Sequence, residues 1–370
     1  MRVLAVNVGS SSVKLSVLDG DRPAAREDLP APGGHLDPAP IEKIVADHSP
    51  IDAVGHRVVH GADQFTGPVR IDAQVRRRLD ALVDLAPLHL PPSLAGIDLV
   101  SRLLPGTPAV ACFDTAFHAK LPVAASTYAL PAEWRRRWRL RRYGFHGLSH
   151  AWAARRVADL HGEPVGALRI VTCHLGAGAS LAAVAYGSSV DTTMGFTPLE
   201  GLVMATRSGS VDPGLVLWLE EHVGIPPAAL ASSLEHRSGL LGLAGSPDMR
   251  AVTDAEARGD ADAQLAVAVY LHRLRAEICA MAGAMGGLDA LSFAGGVGEH
   301  GAGIRLRATA GLAFLGVAVD EQRNASARPD AEITKAGAPV RSFVIEARED
   351  LEIAGEVRAV LGAEGETPPT

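Results

Sequence analysis

Aromatic residues are scarce in this chain. Four Trp, four Tyr and eight Phe make up 4% of 370 residues, so the cores must be built mostly of Ala, Val and Leu. Cysteine is rarer still. Cys112, Cys173 and Cys279 stand far apart in apolar surroundings, and an odd number without paired spacing reads as buried free thiols of a reducing compartment rather than as disulfide, metal or catalytic groups. Long hydrophobic runs are missing: none approaches the roughly 18 residues that span a bilayer, and Val3-Leu4-Ala5-Val6 is too short for the apolar core of a signal peptide. A cytoplasmic protein is expected. Positive charge is in deficit as well, and the net charge of −7 argues against a nucleic-acid or anionic-membrane partner. What remains is 47% hydrophobic and 21% charged, a globular composition at a length that calls for two domains.

Two glycine- and hydroxyl-rich turns dominate what is present. Asn7-Val8-Gly9-Ser10-Ser11-Ser12-Val13-Lys14 follows the apolar run that ends at Val6, and His174-Leu175-Gly176-Ala177-Gly178-Ala179-Ser180 follows Ile170-Val171. Each is flanked by apolar stretches and reads as strand, tight turn, strand. Turns dense in backbone N–H and free of bulky side chains suit phosphate oxygens. Two of them, just under half the chain apart, suggest a duplicated nucleotide-binding fold. Taken alone, the first could be an ordinary surface hairpin, and its spacing is not that of a Walker A loop.

Other elements follow from pattern. Residues 21–40 look like loop; 53–61 reads as a strand ending in a glycine turn; 73–85 has a helical apolar period. Ala109-Val110-Ala111-Cys112-Phe113 is a buried strand that delivers Asp114 at its carboxyl end, where α/β sheets place ligands. Ser149 can cap a helix running to His161, Asp212-Pro213 opens another, and 262–285 is a long helix stopped by Gly286-Gly287. Leu291-Ser292-Phe293-Ala294 is a strand running into a glycine loop at 295–299, and 351–361 closes the chain as a helix.

Arg57 and Arg207 lie inside glycine-flanked motifs rather than on helix faces. Two guanidinium groups suit chemistry joining a carboxylate to a phosphate, because the fork pairs with either anion. The run Trp134-Arg135-Arg136-Arg137-Trp138-Arg139 has the look of a nucleic-acid patch, but a solvated helix face fits the acidic chain better. Fourteen histidines raise the question of zinc, yet His118, His146 and His150 lack zinc-type spacing.

Taken in order, these blocks resemble the acetate kinases of the acetate and sugar kinase, Hsc70 and actin superfamily. The resemblance continues through His56-Arg57-Val58-Val59-His60-Gly61, Ala86-Pro87-Leu88-His89, Phe113-Asp114-Thr115-Ala116-Phe117-His118, Arg142-Tyr143-Gly144-Phe145-His146-Gly147, Gly195-Phe196-Thr197-Pro198-Leu199-Glu200-Gly201 with Thr206-Arg207-Ser208-Gly209, and Gly295-Gly296-Val297-Gly298-Glu299. It implies an α/β fold of two duplicated actin-like (ribonuclease H-like) domains with the active site in the cleft between them: residues 1–115 with 350–370, and 116–349. It implies reversible transfer of the ATP γ-phosphoryl to acetate, with Mg²⁺ (Mn²⁺ as a substitute) and ATP/ADP as co-substrate, in a homodimer. Propionate or butyrate is the alternative acceptor, and a non-catalytic actin-like module the alternative class. The implied catalytic residues are Asp114, His146 and Arg207. Arg57, Val59, Leu88, Phe145 and Pro198 would hold the carboxylic acid, and Asn7 and Glu349 the metal. Ser10, Ser12, Lys14, His174, Leu175, Gly176, Ala177, Gly178, Asp248, Met249, Arg250, Gly296, Val297, Gly298, Glu299 and His300 would hold the nucleotide. Ala177 and His300 each stand where the family usually has Asn, as does Leu90 after His89.

Overall fold

The computed structural model describes residues 1–9, 12–31, 36–85 and 90–365; Ser10, Leu88 and the rest of the block 86–89 lie outside them. The chain divides into two compact units: Met1–Ala119 with Phe145–Trp152 and Arg348–Thr370, and Lys120–Gly144 with Ala153–Ala347. Against the expected division into 1–115 with 350–370 and 116–349, residues 116–119, 145–152 and 348–349 also group with the first unit.

Each unit is built on one six-stranded mixed sheet. The first contains β1 (Arg2–Val8), β2 (Ser12–Asp19), β3 (Arg22–Pro30), β4 (Ala53–Val58), β5 (Val69–Arg70) and β6 (Ala109–Phe113), in the order β3-β2-β1-β4-β6-β5. The second contains β7 (Arg169–Leu175), β8 (Ala179–Ala185), β9 (Ser188–Thr192), β10 (Ala290–Ala294), β11 (Ala331–Glu332) and β12 (Arg341–Val344), in the order β9-β8-β7-β10-β12-β11. The two orders are one order, shifted by six strands. Polarity repeats too: an antiparallel meander of three, two parallel strands, and an antiparallel edge. The duplication suggested by the two glycine turns is thus present in the strands themselves, and both turns join antiparallel strands as expected.

Alternation along β1 shows how the first sheet is buried on both faces. Leu4, Val6 and Val8 pack with Ile41, Ile44, Val45 and Val100, while Val3 and Ala5 pack with Leu148, Ile353, Ala354 and Val357. A strand of period two buried on both sides reads as a continuous apolar run, which is why residues 3–6 show no polar alternation. The second face is covered by the C-terminal helix Glu349–Gly365. It approaches so closely that a side chain at Gly55 of β4 would overlap Ile353 and Val357. That close seat fixes Glu349, the first residue of the helix.

Several expectations need correction. The described part of residues 21–40 is not all loop: it holds β3 and the start of the helix Pro38–His48, capped by Asp37. β3 is mostly exposed, so it lacks an apolar alternation, and as an edge strand it tolerates its prolines. The helix expected over 73–85 ends at Asp80, with a separate turn at Val83–Leu85. The helix after His146 begins at Gly147, so Ser149 lies inside its first turn rather than capping it. The glycine loop after β10 is a short helix, Gly295–His300. Cys112 and Cys173 are buried free thiols, whereas Cys279 is only half-buried. Asp212 and Asp260 cap the helices Pro213–Glu221 and Ala261–Ala284. Among the described residues no helix is long and apolar enough to cross a membrane.

Candidate active site

In the first unit a charged cluster forms at the carboxyl ends of β4 and β6. Arg57 donates from Nε and Nη2 to the Asp114 carboxylate, at 3.0 Å to Oδ1 and 2.5 Å to Oδ2, and from Nη1 to Asn7 Oδ1 at 3.0 Å. Asn7 in turn donates from Nδ2 to Glu349 Oε2 at 2.8 Å, and Glu349 Oε2 lies 3.9 Å from Arg57 Nε. Four residues called from separate motifs, Asn7, Arg57, Asp114 and Glu349, are thus one network. Asp114 is wholly buried. Burial alone would weaken the charge on Arg57, but the nearby carboxylates of Asp114 and Glu349 outweigh it and raise its pKa.

His146 is placed beside this cluster through the backbone. The Gly147 N–H donates to the Asp114 carbonyl at 2.8 Å, and any side chain at Gly147 would overlap that carbonyl. His146 itself has φ +55°, the left-handed region that a non-glycine residue enters at a cost of roughly 1–3 kcal/mol and that often marks functional positions. Its carbonyl accepts from the His150 N–H at 2.9 Å. Phe145 is buried, with its ring edge-on to His60 at 5.4 Å, and Val59 is buried beside that residue. The neighbouring His118 is buried, with Nε2 3.1 Å from the Phe145 carbonyl, and burial holds its pKa down at about 4.

The second unit presents a different kind of surface. Its glycine turn closes with the Gly176 N–H on the Gly178 carbonyl at 3.0 Å, and the Ala177 carbonyl accepts from the Ala205 N–H at 3.1 Å. The turn is therefore tied to the loop that carries Arg207, whose Nη1 donates to the Pro198 carbonyl at 3.2 Å. His174 is half-buried on β7 and Leu175 fully buried, with Ala177 exposed at the tip. Glu299, in the short helix after β10, accepts with one oxygen from both Gly295 N–H and Ala347 N–H, each at 3.0 Å. Asp248 caps the helix Met249–Ala257 and pairs with the exposed Arg250 at 2.9 Å. In the first unit, Lys14 is exposed on β2, in register with Asn7, and Ser12 opens the same strand.

The family model described as Acetokinase family matches residues 36–355. This chain belongs to that family. The chain is 49% identical over 316 residues to the acetate kinase of Gloeobacter violaceus, covering 85% of this chain and 78% of that one. It is 40% identical to the acetate kinase of Pseudothermotoga lettingae across 98% of each. Among solved structures, the acetate kinase of Porphyromonas gingivalis superposes with a TM-score of 0.89 at 34% identity, covering 97% of this chain and 99% of that one. A propionate kinase from Francisella tularensis superposes with a TM-score of 0.90 at 33% identity over the same shares.

Arg305, which no sequence motif singles out, is the largest fully buried side chain among the described residues. Its guanidinium donates to the carbonyls of Gly298 and Glu299, both at 2.8 Å, and to Asn324. Burial pushes its pKa down to about 10, and the carbonyl dipoles it collects anchor the helix Gly295–His300. An arginine mid-helix gives no such signal in the sequence. The pairing of Arg142 with Glu200 was likewise invisible, since the two lie in separate motifs.

Proposed function

We propose that this protein transfers the γ-phosphoryl group of ATP to acetate in line, giving acetyl phosphate and ADP, and runs the reverse reaction. The observation that carries the reading is the Arg57 cluster. A guanidinium has five N–H donors, and the bonds to Asp114 and Asn7 engage each nitrogen while leaving a second N–H on each terminal nitrogen. With Asp114 on its Nε side, the guanidinium can meet a carboxylate end-on through its two terminal nitrogens, the fork that grips such an anion by two parallel hydrogen bonds. Asp114 supports it by fixing the guanidinium plane. An acetate is already deprotonated at neutral pH, so the chemistry asks for alignment and charge neutralisation rather than for a base. Val59 and Phe145 supply apolar surface for the methyl group, with Leu88 and Pro198 as further candidates.

His146 and Arg207 are assigned to the equatorial oxygens of the migrating phosphoryl group, where positive hydrogen-bond donors count most in the transition state. The second glycine turn, with His174, Gly176 and Gly178, and the helix Gly295–His300, with Asp248, Met249 and Arg250, are assigned to the nucleotide. Lys14, Ser10 and Ser12 are assigned to its phosphates. Among the described residues no group of three or more His, Cys, Asp or Glu side chains is placed to cage a metal. Asn7, Asp114 and Glu349 instead offer hard oxygen donors in one cluster, which fits Mg²⁺ or Mn²⁺ retaining most of its water. When bound, such a cation neutralises charge on the β- and γ-phosphates. ATP as co-substrate favours the cytoplasm.

A homodimer is proposed from the exposed apolar residues Leu215, Leu217, Trp218 and Val223 on and beside the helix Pro213–Glu221. Sedimentation that shows only monomer at micromolar concentration would remove it. A second acceptor, propionate, is favoured by the superposition on a propionate kinase. The hydroxamate assay with ATP and Mg²⁺ tests both acids. Acyl phosphate from acetate at a kcat/KM above that for propionate is expected, and no product from either would defeat the reading.

A further inference from the structure

One polar network of the second unit has no part in the chemistry just described. Arg142 donates from Nη2 to Glu200 Oε1 at 2.6 Å and from Nη1 to the carbonyls of Thr192 and Thr193 at 3.2 and 3.1 Å. The Tyr128 hydroxyl donates to Glu200 Oε2 at 2.7 Å and accepts from the Phe196 N–H at 2.8 Å. The Gly195 carbonyl accepts from Tyr143 and Gly144 N–H at 3.0 and 3.3 Å, and a side chain at Gly195 would strike both Glu200 and Tyr128. Two further partly buried acids, Asp191 and Glu277, feel the charge of Arg142; burial raises their pKa and the arginine opposes it. The loop from Gly195 to Glu200 is therefore held at both ends. From its middle, the Pro198 carbonyl accepts from Arg207 Nη1.

We infer that Tyr128, Arg142 and Glu200 are positioning residues for Arg207: they fix the loop whose Pro198 carbonyl aims the guanidinium. The inference rests on the role of Arg207 proposed above. A guanidinium anchored on a loose loop would sample several directions, and a displacement of about 1 Å in a group that must meet the transition state can cost on the order of a hundredfold in rate. The network serves that purpose with neutral and charged hydrogen bonds that are directional, where apolar packing would leave the carbonyl free to rotate.

Tyr128→Phe removes one hydroxyl at nearly constant volume, and a double-mutant cycle with Arg207→Lys isolates its effect. In the otherwise native enzyme, Tyr128→Phe should lower kcat about tenfold while the KM values for acetate and ATP change less than about twofold. In the Arg207→Lys enzyme the same change should lower kcat less than about twofold, because the fork it aims is gone. Equal losses in both backgrounds, or an unchanged kcat with a lowered Tm, would overturn the inference alone. Native kcat in Arg207→Lys would overturn the role of Arg207 and the inference with it. Should Tyr128→Phe fail to fold, Glu200→Gln, of the same shape, carries the same cycle with the same expectations.

Discussion

The two sheets share a strand order and a register, yet their equivalent positions carry opposite chemistry. In the first, the carboxyl ends of the parallel strands β4 and β6 hold Arg57 and Asp114, and β1 contributes Asn7. Following the ladders, the matching places in the second sheet fall on Ala294, Ala347 and His174. There the link between adjacent strand ends is a carboxylate on backbone: Glu299 receives the N–H groups of Gly295 and Ala347. One copy of the fold has thus placed an arginine–aspartate pair at the ends of its parallel strands, where ligands of α/β sheets bind, and the other has alanine at both of those places beside His174. A guanidinium surface suits a small carboxylate; an alanine-lined surface suits a large ligand that must come close to the chain. On the function proposed above, divergence at these few positions separates an acid-binding half from a nucleotide-binding half.

The comparison can be broken most severely at Arg207. Arg207→Ala should lower kcat by about a thousandfold, as loss of a preorganised donor to transition-state charge does, with little change in Tm; single-turnover phosphoryl transfer measures it, and near-native turnover would remove the residue from the chemistry. Next comes the charged pair of the first unit. Arg57→Ala removes the two-pronged cationic partner of the buried Asp114 carboxylate, so it should destabilise that unit by about 3 kcal/mol, besides abolishing useful acetate binding. Denaturant unfolding reads the first effect, and an unchanged midpoint would show that Asp114 has another partner of equal weight.

Acid sharpens the contrast more gently. His56, His60 and His118 all lie in the first unit, and burial holds each pKa down at about 4. Each stays neutral when folded and takes up a proton when unfolded, so its stabilisation is complete above the ordinary value near 6.5 and is lost as pH falls from there towards 4. Between pH 7 and 5 each should cost roughly 2 kcal/mol. Hydrogen exchange in β4 should accelerate over that interval, and a flat profile would contradict the burial of these rings. The smallest effect is expected at the tip of the second turn. Ala177 is exposed and holds the Arg207 loop only through its carbonyl, so Ala177→Asn can add an amide donor without disturbing that bond. It should lower the KM for ATP about two- to fivefold, the worth of one hydrogen bond, and no change would show that the backbone alone serves the phosphates.

Much of this was legible in the sequence because the informative features are local. Glycine turns between apolar runs gave both hairpins, the apolar strand before Asp114 placed that carboxylate at a strand end, and Asp212-Pro213 marked a helix start. What escaped was non-local or unpatterned. β3 is an exposed edge whose side chains follow no apolar rhythm. The glycines at 295–298 form a helix because Glu299 and Arg305 collect their backbone groups, contacts that leave no apolar period in the sequence although both partners lie close by. Glu349 could be connected to Asn7 only once the C-terminal helix was seen to lie against Gly55. Composition said correctly that the cores are aliphatic, but it could not say that the largest wholly buried side chain would be an arginine.

The central proposal is that Arg57 of the first unit grips the acid while the nucleotide is held mainly by the second unit. Arg57→Lys keeps the charge and loses the fork, so the acetate KM and the dissociation constant for ADP, measured on the same preparation, test it most directly. The acetate KM should rise at least about tenfold while ADP binding stays within about twofold of native. A parallel weakening of both, or an unchanged acetate KM, would contradict the division of labour between the two sheets.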